Sequence, residues 1–144
     1  MNKIQVQVLV KGTIEKVWKF WNEPEYIKLW AFASDDWECP NTQNDLKVGG
    51  KFVTTMSAKD KSFSFDFSGT YTEIKQNEMI SYVLSNDIND TKARRCEIIF
   101  KDMGDGTVKI VETFDPEDEN SIEMQKNGWQ SILNNFKKAV EKVE

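Results

Sequence analysis

Residues 120–144 read NSIEMQKNGWQSILNNFKKAVEKVE. Within them Ile122, Gln125, Trp129, Ile132, Leu133, Phe136, Val140 and Val143 recur at steps of three and four, which aligns them along one face of an α-helix. Lys126, Gln130, Asn134, Lys137, Lys138, Glu141 and Lys142 fall on the other faces. Asn120 is placed to cap this helix, and Glu123 follows three positions on, where its carboxylate reaches back to the cap amide. Asp115, Glu117, Asp118 and Glu119 gather at the positive end of the helix dipole, and Lys137, Lys138 and Lys142 near the negative end. At about 1.5 Å per residue the helix spans roughly 35 Å, the width of a small domain. A helix of that length, with Trp and Phe on its inner side, requires a broad apolar surface to lie on.

The preceding residues read as that surface. Ile4, Val6, Val8 and Val10 alternate with Gln5, Gln7 and Leu9, the pattern of a half-buried strand. Gly12 breaks it and Thr13 caps a helix carrying Ile14, Val17, Trp18 and Trp21, with Phe20 beside them. Pro24, at a first helical position, opens a second short helix with Tyr26, Ile27, Leu29 and Trp30. Residues 31–50 are polar and turn-rich, with Phe32 and Trp37 among them; Trp37 is either a core plug or part of a ligand mouth. Gly49-Gly50 is not followed by a helix and belongs to no phosphate-binding pattern, so it reads as a bend entering a strand.

From Lys51 the signals are strand-like. Phe52, Thr54 and Met56 alternate, and Phe63, Phe65 and Phe67 share a face opposite Ser64, Asp66 and Ser68, with a kink expected at Gly69. Ile80, Tyr82 and Leu84 are in register, as are Cys96, Ile98 and Phe100. Gly104-Asp105-Gly106 is a hairpin turn, and Val108, Ile110, Glu112 and Phe114 share one face of the last strand. The order is strand, two short helices, about six antiparallel strands and the long helix: an α+β chain whose lone sheet must curl around its terminal helix.

Composition narrows the function. The 144 residues are expected to form one domain over 1–144, large enough to bury roughly 68–70% of the unfolded surface. A formal charge of −5 argues against nucleic acid or an anionic membrane as partner. Arg94 and Arg95 read as a solvated strand end. The opening residues alternate instead of forming the apolar run of a signal peptide, and no segment reaches the ~18 apolar residues of a membrane span. Cys39 and Cys96 have no metal or redox spacing, which fits a reduced, cytoplasmic protein. Histidine is absent, so Ser-His-Asp and Cys-His catalysis and His-containing zinc sites are excluded. No metal, cofactor or catalytic motif is expected.

Several stretches resemble a known family: Ile14-Glu15-Lys16-Val17-Trp18, Pro24-Glu25 with Trp30, Trp37-Glu38-Cys39-Pro40 and Asp45-Leu46-Lys47-Val48-Gly49-Gly50-Lys51-Phe52 in the first half. Gly69-Thr70-Tyr71-Thr72-Glu73-Ile74, Glu112-Thr113-Phe114-Asp115 and Gln125-Lys126-Asn127-Gly128-Trp129-Gln130 continue it. They look like the bacterial single-domain proteins similar to the C-terminal domain of the heat-shock chaperone's ATPase activator, within the START-like (SRPBCC) superfamily. The resemblance implies a helix-grip fold, with a seven-stranded antiparallel sheet around a long C-terminal helix and an internal pocket for hydrophobic small molecules. It implies no single activity, since such proteins carry lipids, bind hormones or flavonoids, or act as cyclases.

The residues point to a mostly apolar pocket with a few polar anchors. Trp30, Phe32, Trp37, Phe52, Met56, Phe65, Phe67, Tyr82 and Ile98 are its expected walls, and Trp129, Leu133 and Phe136 its floor. Ordinary core packing is the rival reading of each; five Trp, three Tyr and nine Phe together favour some of them facing a space. Glu112 is the sharpest polar candidate. It points inward if its strand keeps register and outward if a bulge near Thr113 intervenes, and when buried it needs a partner such as Gln125, Tyr71 or Tyr82, or a raised pKa. Three functions follow: a binder or carrier of a small lipid-like or aromatic molecule, a cofactor-independent cyclase or hydrolase using Glu112 with a tyrosine, and a chaperone-associated interaction module. The expected partner is a hydrophobic ligand, with a homodimer and a chaperone as further candidates.

Overall fold

The computed structural model describes residues 3–142; Met1, Asn2, Val143 of the apolar stripe and Glu144 lie outside the described residues. Strand β1 (Ile4–Lys11) is followed by α1 (Ile14–Asn22) and α2 (Pro24–Ile27). Strands β2 (Trp37–Asn44), β3 (Lys51–Ala58), β4 (Ser64–Lys75), β5 (Met79–Val83), β6 (Arg95–Asp102) and β7 (Thr107–Phe114) come next, and α3 (Ile122–Lys142) ends the described chain. The seven strands form one antiparallel sheet in the order β1-β7-β6-β5-β4-β3-β2. It curls around α3 in the helix-grip arrangement expected of the sequence.

Alternation dictates which face of each strand is buried. Ile4, Val6 and Val10 of β1 and Val108, Ile110, Glu112 and Phe114 of β7 all lie inside. The Thr13 hydroxyl caps α1 by accepting from the Lys16 amide at 3.1 Å. Two local expectations are corrected. Ser121, not Asn120, caps α3: its hydroxyl accepts from the Met124 amide at 3.1 Å and its carbonyl from the Gln125 amide at 3.1 Å. Asn120 instead uses its side chain on the Glu117 carboxylate. The buried stripe accordingly starts at Gln125, and Ile122 is exposed ahead of it.

Strand β2 falls within the stretch that read as turn-rich. It has no two-residue alternation, and a register shift between Glu38 and Asn41 accommodates Pro40, a residue tolerated at a bulge of an edge strand. Strand β4 runs on through Gly69, and its register with β5 shifts just beyond it, between Tyr71 and Glu73. The reason for glycine there is close approach. A Cβ on Gly69 would lie 2.3 Å from the Val83 carbonyl oxygen and 3.0 Å from the Phe52 ring, so its absence makes room for both.

Helix α3 is held on two sides. Leu133, Phe136 and Val140 are fully buried. Trp129 stacks on Phe114 with ring centroids 3.7 Å apart and planes 12° apart. Phe136 meets Trp21 and Trp30 edge-on at 4.9 and 5.0 Å. Its polar side, which the sequence places in solvent, docks instead on the free edge of β1. Gln130 donates to the Gln7 carbonyl at 3.0 Å, Lys137 to the Leu9 carbonyl at 2.9 Å, and the Lys11 amide to Glu141 at 2.9 Å. The 2.6 Å Lys137–Glu141 ion pair completes this stripe. The edge of β1 is thereby covered, which suppresses strand-to-strand association there.

Truncating Phe136 to Ala removes a ring that is 0% exposed and is expected to cost about 3–5 kcal/mol in urea unfolding. Lys138→Ala on the exposed side of α3 is expected to stay within about 0.5 kcal/mol.

Candidate functional site

Between the sheet and the helices lies a cavity of about 200 Å³. The end of α1 contributes Trp21 and Asn22, and α2 with its following turn contributes Ile27, Trp30 and Ala31. The sheet supplies Thr42 and Asn44 from β2, Phe52, Thr54 and Met56 from β3, Phe65, Phe67 and Tyr71 from β4, Ile80 and Tyr82 from β5, and Glu112 from β7. Helix α3 adds Trp129 and Ile132. The volume exceeds that of a cavity able to hold benzene, about 150 Å³.

Of the expected walls, Trp30, Phe52, Met56, Phe65, Phe67, Tyr82, Glu112 and Trp129 line this space. Five others do not. Ile98, Leu133 and Phe136 are fully buried and have no remaining surface to offer; the Trp21 ring of α1 packs on both Phe136 of α3 and Phe100 of β6. Phe32 lies beyond α2, where its carbonyl accepts from the Asn135 side chain at 2.6 Å. Trp37 sits at the sheet's outer end against Phe63 and Phe65, 6.1 and 5.9 Å between ring centroids. Phe65 is itself 42% exposed, so it forms the rim and not the depth of the cavity.

The sequence reading missed a polar corner made by Asn22, Asn44, Thr42, Thr54 and Tyr71. Asn22 donates to the Trp18 carbonyl at 2.9 Å, and Asn44 donates to the Asn22 carbonyl at 2.9 Å and to the Tyr71 hydroxyl at 3.3 Å. The Thr42 and Thr54 hydroxyls bond each other at 2.9 Å across β2 and β3. Only the buried placement of Asn22 beside apolar helix residues could have pointed to it, and polar residues at helix ends are ordinary.

Glu112 points inward. No bulge turns it, since β7 keeps continuous register with Val6 on one side and Ile98 on the other. Gln125 is not its partner: the Gln125 amide holds the β7–α3 connection through the Glu117 amide and carbonyl and the Asn120 carbonyl, at 2.8, 3.2 and 2.9 Å. Among the described residues none hydrogen-bonds the Glu112 carboxyl, whose oxygens keep accessible surface on the cavity.

A family model described as Activator of Hsp90 ATPase homolog 1-like protein matches residues 11–141. The chain belongs to that family. An AHSA1-like protein from Aeromonas hydrophila is 38% identical, with a TM-score of 0.86 over 98% of this chain and 93% of that one. A protein from Cytophaga hutchinsonii is 51% identical, with a TM-score of 0.79 over 99% and 94%. At 20% identity, a protein from Chromobacterium violaceum shares the fold, with a TM-score of 0.83 over 98% and 99%. No curated protein matches the chain. Among the described residues of this Hsp90 ATPase activator homolog 1-like chain, no group of acidic, Cys or His side chains could hold a metal, and no helix is long and apolar enough to cross a membrane.

Burial dominates the electrostatics of the family member's cavity. Loss of solvent raises Glu112 from an ordinary value near 4.5 to about 8. Tyr82 and Cys96, paired across β5 and β6, are both pushed well up, by burial first; the charge of Cys96 and then of Glu112 adds to the shift of Tyr82, and that of Glu112 to the shift of Cys96. Between about pH 4.5 and pH 8 the folded chain keeps a proton on Glu112 that the unfolded chain has released. Stability therefore falls as pH rises through that window, by up to about 1.4 kcal/mol per unit, and levels off above it. Glu112→Gln cannot titrate, so its melting temperature is expected to pull ahead of wild type progressively from about pH 5 to about pH 8. A gap that does not change with pH would mean that the carboxyl is paired or solvated.

Proposed function

We propose that this protein binds or carries a small hydrophobic molecule in the cavity between its sheet and α3. The observation that carries this reading is an aromatic-walled space in the interior that the core side chains leave open, with a single carboxyl directed into it. Space of this kind costs stability, because its lining atoms forgo contacts that close packing supplies. A ligand restores those contacts. The polar corner around Asn44 and Tyr71 gives a bound molecule a second point of orientation, as ligand sites with a few placed polar groups do. The buried free thiols Cys39 and Cys96 fit action in a reducing compartment such as the cytoplasm.

A second reading rests on Trp37, Phe63 and Phe65, whose rings cluster at the far end of β4 with Phe63 60% exposed. Exposed aromatic clusters mark protein-interaction sites, and a chaperone is the partner that the family description supports.

A naphthyl probe that quenches the tryptophans separates the two. Under the carrier reading quenching saturates at one equivalent, Met56→Trp weakens the probe about tenfold or more by filling the cavity, and Phe63→Ser leaves it unchanged. Loss of binding in Phe63→Ser with Met56→Trp unaffected would move the site to the outer patch.

A further inference from the structure

The cavity has one formal charge to offer, and it is negative. Glu112 is the only acid among the lining residues, and no Lys or Arg accompanies it. It is 7% exposed and unpartnered among the described residues, with its oxygens open to the space. The groups packed around it bring no positive charge either. Val6 of β1 and Ile98 of β6 flank it across the sheet, Tyr82 of β5 and Cys96 of β6 are near enough to feel its charge, and α3 brings Trp129 and Ile132 to the same space. Once Glu112 is ionised, above about pH 8, a ligand carboxylate or phosphate placed here would meet a like charge in a low-dielectric space, which is strongly unfavourable.

Three rings line the same space as Glu112. The Phe67 ring meets Tyr82 at 6.0 Å and 85°, and Trp129 at 5.8 Å and 79°, so the three close an aromatic corner. Trp129 in turn is stacked on Phe114, two residues along β7 from Glu112 and on the same face of the strand. Aromatic faces carry negative electrostatic potential and attract cations, most strongly when water is excluded. An acid and an aromatic corner both call for positive charge.

We propose that the cavity selects hydrophobic molecules bearing a protonated amine, with Glu112 as counter-ion and Phe67, Tyr82 and Trp129 enclosing the ammonium and its adjoining carbons. The assignment rests on the reading of the cavity as a ligand site and adds the chemical class of the ligand. It also accounts for an acid kept where the interior penalises it: the missing partner is supplied by the ligand. Because Glu112 holds its proton at neutral pH in the empty protein, ammonium binding expels that proton, and affinity rises with pH until the carboxyl is ionised before binding.

The test is calorimetry on the full chain with three probes of one apolar body and different heads: 2-(1-naphthyl)ethylamine, 2-(1-naphthyl)ethanol and 1-naphthylacetate. At about pH 8.5 the amine is expected to bind at least about tenfold tighter than the alcohol and the carboxylate weakest, a spacing of one ion pair or more. At about pH 7, titrations in buffers of different ionisation enthalpy are expected to show about one proton released per amine bound and none for the alcohol. Glu112→Gln is expected to bind amine and alcohol about equally and to lose the proton release. Equal binding of amine and alcohol, or tightest binding of the carboxylate, would overturn the amine assignment while leaving the carrier reading intact. An amine preference that survives Glu112→Gln would overturn Glu112 as counter-ion. If none of the three binds, the carrier reading falls and the assignment with it.

Discussion

A single sheet with one apolar face has to bury that face against something, and here one helix does most of it. Helix α3 is fixed by two different kinds of contact. Its apolar stripe, Trp129, Leu133, Phe136 and Val140, lies on β7 and under α1, while Gln130, Lys137 and Glu141 satisfy the free backbone groups of β1. The second set fixes where across the sheet the helix lies. Anchored to the β1 edge, α3 runs along β1, while of the two short helices α1 packs on β6 and β7 and α2 reaches β2. Those helices carry large rings but little length, and the space they do not fill is the cavity.

The same anchoring explains why an acid can remain inside. Glu112 shares its face with Val108, Ile110 and Phe114, and a one-residue slip of β7 would turn all of them outward together. Three buried apolar residues outweigh one buried carboxyl, so the register holds and the carboxyl goes in with them. Its desolvation is met by keeping the proton, which raises its pKa, as burial likewise raises those of Tyr82 and Cys96. A stability optimum would place Val or Gln at this position. That the chain carries Glu instead is a departure from the local rules of the kind that marks candidate functional sites.

Much of this was legible in the residues. The two-step alternation of β1, β3, β6 and β7 and the three-and-four stripe of α3 give strand and helix directly, because burial on one side leaves a periodic trace. Glu112 stood out by parity with its apolar neighbours. Strand β2 left no such trace: it is an edge strand with Pro40 at a bulge, and its pairing with β3 depends on backbone groups that side-chain pattern does not report. Asn22 and Asn44 were equally invisible, since their bond joins residues far apart in the chain. Phe136 and Trp129 look alike in sequence, both aromatic and both on the inner stripe. One is sealed between Trp21 and Trp30 and the other borders open space, a distinction set by what lies opposite each of them.

The sequence by itself determined which faces are apolar, how long the terminal helix is and which acid sits at odds with its surroundings, because these follow from periodicity and composition along the chain. Only the tertiary structure decided where the helix crosses the sheet, which rings meet and which leave a gap, and that no basic group reaches Glu112. Those outcomes depend on distances between segments remote in sequence, and packing fixes such distances only when all the layers are in place.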